Sequence, residues 1–293
     1  MRVPFETVDV FTRTQFSGNP LAVFLQGEDL SSSQMQAIAI ELDLSETTFV
    51  LPPSSPSATA TVRIFTPGGE LPFAGHPMLG TAFVLARRGL AVGPELLLEV
   101  PAGRVRVHLD MTETGTAAGA RISAPQPLHL GEVIPAAVVA ECVGLEADDI
   151  IMSPHPPIRA SVGNPFVIAR VTLRGLQKCR PNHEAFLRAE AAHGGPFALH
   201  TYAIDGDLIR ARMFAPLSGT IEDPATGSAN LPLGGLLLHL GDSTEAEFDI
   251  LQGVEMGRPS ELRVEAQRSP DGIQTHVSGH CVPVLEGFLN LAE

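Results

Sequence analysis

The sequence predicts an α+β fold built from two similar halves. Strand-like segments outnumber helical ones, and they do not alternate with helices as they would in a doubly wound parallel sheet. Short motifs also recur in the same order at a nearly constant offset, which is typical of a duplicated domain. The length of 293 residues is that of about two domains. We therefore expect each half of the chain to form one α+β domain.

Three short motifs carry the repeat. Gly-Asn-Pro followed by an apolar run occurs at 18–20 and again at 163–165, an offset of 145. A strand-like segment containing Phe-x-Pro occurs at 63–67 and 212–216, and after it HPMLGTA at 76–82 matches DPATGSA at 223–229, an offset of 147. We predict a first half at 1–125, with 279–293 as its candidate completion, and a second half at 126–278.

The individual elements follow from the periodicity of the apolar residues. The first helix comes after Ser31 and Gln34, which have the spacing of a capping box, and the segment 125–131 is predicted to be a linker. The predicted helices are 35–42, 77–88, 135–143, 182–192 and 224–239, the last with Pro232 inside it, where a kink or a helix end is expected. The predicted strands are 3–11, 21–25, 47–51, 58–65, 96–100, 104–109 and 120–124 in the first half, and 166–171, 197–204, 208–214, 247–252, 262–266, 273–277 and 281–285 in the second.

Composition and motifs exclude several classes of function. A formal net charge of −14, no Trp and a single Tyr argue against a nucleic-acid partner. No apolar run is long enough for a membrane span, and the N-terminus has no signal-peptide pattern, so we expect a cytoplasmic protein. The three cysteines have no CxxC spacing, no cluster has metal-ligand spacing, and no dinucleotide or P-loop motif is present. We therefore expect no cofactor and no metal.

The repeated motif has the chemistry of an anion-binding helix start. Asp223 before Pro224 is the order expected of an N-cap residue followed by proline at the first helical position, and His76 before Pro77 occupies the matching place. Helix N-termini carry unsatisfied N–H groups and partial positive charge. We expect the two helix starts to meet one small molecule at the interface of the halves. The alternative is a pair of ordinary capped helices, although histidine is not a preferred cap.

Glu46 is the candidate acid–base residue. It stands at the start of an apolar strand between hydroxyl-bearing residues, where a half-buried carboxylate with a raised pKa is expected. The alternative is a solvated glutamate at the junction of a helix and a strand, which is how most glutamates occur.

At these residues the chain resembles the phenazine-biosynthesis PhzF-like isomerase family, which has the diaminopimelate epimerase-like fold. The matching segments span nearly the whole chain: VDVFTRTQFSGNPLAVFL from Val8, SETTFV from Ser45, RIFTPGGELPFAGHPMLGTA from Arg63, EDPATGSANLPLGGLLL from Glu222 and QGVEMGRPSELRVE from Gln252. The resemblance implies two pseudo-symmetric halves, each a curved, mostly antiparallel sheet around a central helix. It also implies a cofactor-independent isomerase and a homodimer.

The resemblance also assigns roles to residues. It implies that Glu46 is the acid–base group, that His76 and Asp223 bind substrate, and that Gly75, Gly227 and Ser228 supply donors at the helix starts. Related epimerases and proline racemases use a cysteine at each helix end, whereas neither motif contains one here. Met78 stands where threonine is expected in much of the family.

These residues support three hypotheses of function. The first is an isomerase that moves a proton between carbons of a small carboxylic acid, with Glu46 abstracting the proton and returning it. The second is an amino-acid-type racemase or epimerase on the same fold. The third is a non-catalytic protein that binds a small acid, since a fold does not determine a function.

Overall fold

The computed structural model describes residues 1–91 and 93–291, and the described chain divides into two compact units. Unit 1 comprises residues 1–123 together with the described residues from 278 onward, and unit 2 comprises residues 124–277. Residues 292 and 293, the end of the predicted completion 279–293, lie outside the description. Both units combine strands with a few helices, so the α+β prediction is confirmed.

Unit 1 is a sheet wrapped around one helix. The strands pair in the order β17–β1–β2–β3–β4–β6–β7–β8, and β8 also pairs with β17, so that the sheet closes on itself. Two of these pairings, β2–β3 and β4–β6, are parallel, and β5 pairs with β4 in the antiparallel sense. The elements are β1 (Arg2–Val10), β2 (Asn19–Phe24), α1 (Ser32–Leu42), β3 (Glu46–Leu51), β4 (Ala60–Thr66), β5 (Gly69–Leu71), α2 (Gly75–Arg87), β6 (Glu95–Val100), β7 (Gly103–Met111), β8 (Ala117–Ser123) and the part of β17 (Gly272–Asn290) from 278 onward.

The helix inside the sheet of unit 1 is α2. Its residues are small or apolar almost throughout, and all of them from Gly75 to Leu85 are buried. The helix packs closely on β1 and β2 at Gly80, where an added Cβ would lie 2.6 Å from Leu21 Cδ2 and 2.9 Å from Val10 Cγ2. Only glycine fits this approach without movement of its neighbours.

Unit 2 has the same sequence of strand pairings. β10–β11, β12–β13, β13–β14 and β15–β16 are antiparallel, β11–β12 and β13–β15 are parallel, and β9 pairs with β10. Helix α6 is the buried counterpart of α2 and contacts β10, β11, β15 and β16. The elements are β9 (His129–Val133), α3 (Ala136–Val143), β10 (Ile158–Ser161), β11 (Pro165–Arg170), α4 (Leu173–Lys178), α5 (His183–His193), β12 (Leu199–Asp205), β13 (Leu208–Ala215), β14 (Thr220–Asp223), α6 (Gly227–Leu240), β15 (Glu245–Gln252), β16 (Ser260–Ser269) and the start of β17.

Several local predictions are confirmed and others are wrong. The capping box at Ser31 and Gln34 is present in both directions. Short β5, β10 and α4 were not predicted, and β9 (His129–Val133) begins within the predicted linker 125–131 and extends beyond it. Segments of three to six residues have too little periodicity to be recognised. Helix α6 does not end at Pro232: it continues to Leu240, since burial on all sides stabilises it despite the missing N–H.

The described helices are short. The longest, α6, has 14 residues. No helix in residues 1–91 and 93–291 combines the length and apolar character needed to cross a membrane.

Candidate functional site

Glu46 is the first residue of β3 and lies at the edge of the unit 1 core. The parallel pairing of β2 and β3 places it opposite Leu21, and its side chain is only 16% exposed. The four residues after it, from Thr47 to Val50, are buried. Glu46 is therefore largely buried and is not the solvated glutamate that the sequence left as an alternative. The predicted elevation of its pKa stays a prediction.

His76 faces this carboxylate from the first turn of α2. Its Nε2 lies 3.5 Å from Glu46 Oε2, and the imidazole is 5% exposed. Burial lowers the pKa of His76 to about 3, so the ring is neutral at physiological pH. A neutral ring beside Glu46 leaves the charge of the carboxylate uncompensated by His76, which suits a base better than a fixed ion pair would.

Asn19 sets the orientation of the His76 ring. Its side-chain Nδ2 lies 3.3 Å from His76 Nδ1, and Asn19 is fully buried at the start of β2. With the amide nitrogen donating, Nδ1 accepts, and the ring proton is on Nε2, the atom that faces Glu46. Sequence reasoning did not select Asn19, although it lies in the repeated Gly-Asn-Pro motif. Its counterpart Asn164 is exposed, so the repeat alone could not have distinguished a site residue from a turn residue.

The N-cap prediction is wrong for both His76 and Asp223. Helix α2 begins at Gly75 with Ala74 as its N-cap, so that His76 lies inside the first turn, and α6 begins at Gly227 with Thr226 as its N-cap. Asp223 is instead the last residue of β14, where its backbone pairs with β13. An N-cap residue directly precedes the first helical residue, whereas Asp223 stands four residues before Gly227.

The 147-residue offset of the second motif is also wrong. In each unit a short strand ends, three residues follow, and the buried helix starts. The strand β5 ends at Leu71 and its equivalent β14 ends at Asp223, so that equivalent positions of the two units are 152 residues apart. A pair of bidentate ion pairs supports this alignment, because Arg63 binds Glu70 and Arg212 binds Glu222 between equivalent strands. The alignment of HPMLGTA with DPATGSA was based on shared glycine and proline residues and is five positions out of register.

The corrected alignment makes the two units chemically unequal. His76 corresponds to Ser228, and the parallel pairing of β11 with β12 places Ala198 at the position that corresponds to Glu46. Unit 1 therefore brings together Glu46, His76 and Gly75, whereas unit 2 brings together Asp223, Gly227 and Ser228. Asp223 and Gly227 are buried and Ser228 is half-buried.

The cysteines and the potential metal ligands do not contribute to these groups. Cys142, Cys179 and Cys281 are buried, and none lies in α2 or α6. Burial raises the pKa of Cys142 to about 12 and that of Cys179 to about 11, and it also raises that of Cys281. Within the described residues, no group of three or more His, Cys, Asp or Glu side chains is placed to hold a metal ion.

The chain is similar to known proteins over nearly its full length. A family model described as phenazine biosynthesis-like protein matches residues 8–287. A trans-2,3-dihydro-3-hydroxyanthranilate isomerase of Pseudomonas chlororaphis is 37% identical over 97% of this chain and 98% of its own. An uncharacterized isomerase of Mesorhizobium japonicum is 36% identical over 96% of each. The crystal structure of a phenazine biosynthesis protein of the PhzF family from Bacillus anthracis has a TM-score of 0.88 and 27% identity, covering 99% of this chain and all of the other.

Proposed function

This chain belongs to the phenazine biosynthesis-like (PhzC-PhzF) family of isomerases, and from that premise we propose that it moves a proton between two carbons of a small carboxylic acid, with Glu46 as the acid–base group. The observation that carries the proposal is the pairing of the largely buried Glu46 carboxylate with the neutral, buried ring of His76.

The reaction we propose needs one base that both takes and returns a proton. Glu46 removes the proton from one carbon of the substrate and delivers it to another, so that a double bond moves and no net oxidation occurs. The Nε2–H of His76, oriented through Asn19, donates to a polar substituent on which negative charge develops. A positioned acid–base group of this kind contributes about 10²- to 10⁴-fold to the rate.

The other predicted site residues are given binding roles in this proposal. Asp223 binds a polar substituent of the substrate, and Gly75, Gly227 and Ser228 supply donors to its carboxylate. The starts of α2 and α6 suit this role because neither N-cap residue, Ala74 or Thr226, makes a side-chain cap hydrogen bond. We expect replacement of Asp223 by Asn to raise KM more than it lowers kcat.

The racemase hypothesis has less support from these residues. Two-thiol racemisation requires a reactive cysteine at each helix start, and the three cysteines are buried elsewhere with raised pKa values. The counterpart of Glu46 in unit 2 is Ala198, which cannot supply a second acid–base group. One carboxylate that serves both proton transfers is the simpler chemistry.

The test is solvent exchange by matched variants. Wild-type protein and a panel of small unsaturated acids, with trans-2,3-dihydro-3-hydroxyanthranilate among them, are incubated in deuterated water, and deuterium incorporation is followed by NMR. We expect incorporation into one acid, and a loss of about 10²- to 10⁴-fold in Glu46→Gln with binding largely kept. Glu41→Gln, the same change at an exposed position of α1, is the control. Undiminished exchange in Glu46→Gln would remove Glu46 from the mechanism, and inversion of one stereocentre without bond migration would favour the racemase.

A further inference from the structure

A chain of buried polar side chains leads from the interior of unit 2 to Asp223. His200 Nε2 lies 3.0 Å from Asn230 Oδ1, and Asn230 Nδ2 lies 2.8 Å from Gln252 Oε1. Gln252 Nε2 lies 3.0 Å from Thr226 Oγ1, and Thr226 Oγ1 lies 2.5 Å from Asp223 Oδ2. All five side chains are less than 9% exposed. The sequence gives no sign of this arrangement, since the five residues come from four separate elements and a turn.

Contacts with backbone groups determine which atom donates and which accepts in each hydrogen bond between these five side chains. The backbone N–H of Thr226 can only donate, so the Gln252 atom that it meets is the oxygen, and the amide nitrogen of Gln252 donates to the backbone oxygen of Asp223. The Asn230 nitrogen donates to the backbone oxygen of Thr226, which turns its Oδ1 toward His200. Because the Thr226 hydroxyl accepts from Gln252, its own proton is directed at Asp223 Oδ2.

The equivalent place in unit 1 shows that these polar groups are not needed to build the local fold. Unit 1 forms the same strand end, three-residue connection and buried helix. The 152-residue offset aligns Asp223, Thr226 and Asn230 with the apolar residues Leu71, Ala74 and Met78 of unit 1. The strand register aligns Gln252 with Val100, which is also apolar. Buried polar groups cost free energy unless they are fully bonded, and apolar packing serves the fold as well. A role beyond the fold is therefore indicated.

We propose that Thr226 and Gln252 are positioning residues for Asp223: Gln252 directs the Thr226 hydroxyl, and that hydroxyl holds the Asp223 carboxylate ionised and in one orientation. A donated hydrogen bond favours the charged form of a carboxylate, and bonds to charged groups are among the stronger ones in proteins. The proposal rests on the proposed function, because it assumes that Asp223 binds substrate. It assigns no contact with substrate to Thr226 or Gln252.

The first test needs no substrate. Protein labelled with ¹³C at the aspartate carboxyl carbons is compared by NMR at one neutral pH, and the signal of Asp223 is identified by its loss in Asp223→Asn. We expect one sharp signal in the wild type and in Thr226→Ser, and a shifted, broadened or doubled signal in Thr226→Val, which keeps the shape of threonine but cannot donate. Thr201→Val is the matched control, since Thr201 is also buried in unit 2 and donates to a backbone oxygen. An unchanged Asp223 signal in Thr226→Val overturns the proposal.

The second test measures catalysis with the acid that shows solvent exchange. We expect Thr226→Val to lower kcat/KM by about 10- to 100-fold, mainly through KM, and Thr226→Ser to restore it to within about threefold. Gln252→Met should act in the same direction, with circular dichroism used to confirm folding. If Asp223→Asn is fully active, the binding role of Asp223 fails, while the carboxyl signal still decides whether Thr226 orients it. Equal losses in Thr226→Val and Thr226→Ser would also count against the proposal.

Discussion

The two buried histidines whose pKa values are lowered most, His76 and His200, should make this protein lose stability in mild acid. Burial lowers the pKa of His76 to about 3 and that of His200 to about 4, and the hydrogen bond to Asn230 opposes the second shift only in part. In the unfolded chain both rings have a pKa near the ordinary value of about 6.5. Below that pH the unfolded state binds more protons than the folded state, so stability falls as the pH is lowered from 6.5 toward the folded pKa values.

The size of the loss follows from the pKa differences. Lowering the pH from 7 to 5 covers about 1.5 units below the unfolded pKa, and each unit corresponds to about 1.4 kcal/mol for each ring. The expected loss is therefore about 2 kcal/mol for each histidine and about 4 kcal/mol for both. Ordinary carboxylates contribute little in this range, because they begin to take up protons only at lower pH.

The assay is urea unfolding at pH 7 and pH 5. The His200→Gln variant keeps a donor within reach of Asn230 and removes the titrating ring, so its loss between the two pH values should be smaller than that of the wild type by about 2 kcal/mol. His183→Gln, at an exposed position, should show the full loss. The reasoning is refuted if His200→Gln loses as much stability on acidification as the wild type does.

Two further predictions concern stability. Arg212→Met removes a 3% exposed side chain from its ion pair with Glu222 and should lower the free energy of unfolding by about 3 to 5 kcal/mol. Arg63→Met breaks the equivalent but more exposed pair of unit 1 and should lower it by about 1 kcal/mol or less. Chemical denaturation measures both values, and equal losses would contradict the argument from burial. Gly80→Ala should lower the free energy of unfolding by about 1 to 3 kcal/mol, because its Cβ would lie less than 3.0 Å from neighbouring side chains. Gly241→Ala, whose Cβ would have no neighbour nearer than 3.8 Å, should change it by less than about 0.5 kcal/mol. Thermal unfolding that ranks the two variants otherwise would contradict this account of the helix packing.

Much of the local architecture could be predicted because it depends on neighbouring residues. The capping box of α1 at Ser31 and Gln34 and most of the longer strands follow from periodicity and from short-range hydrogen bonds. The elements that were missed, such as β5 and α4, are short and are stabilised by the surrounding sheet or core. The candidate site was found only in part: Glu46 and His76 were selected, but Asn19 and Gln252 were not.

By itself the sequence determined that the chain is an α+β protein with repeated motifs, that it resembles one family of isomerases, and that Glu46, His76 and Asp223 are its candidate site residues. Only the tertiary structure decided the register of the repeat. The positions of the strands and helices align His76 with Ser228, whereas the shared glycine and proline residues of the motifs had aligned it with Asp223. It also decided which polar groups meet. Asn19 contacts a residue 57 positions away and Gln252 contacts one 26 positions away. Contacts over such separations depend on how the strands and helices pack, and no local pattern of residues encodes them.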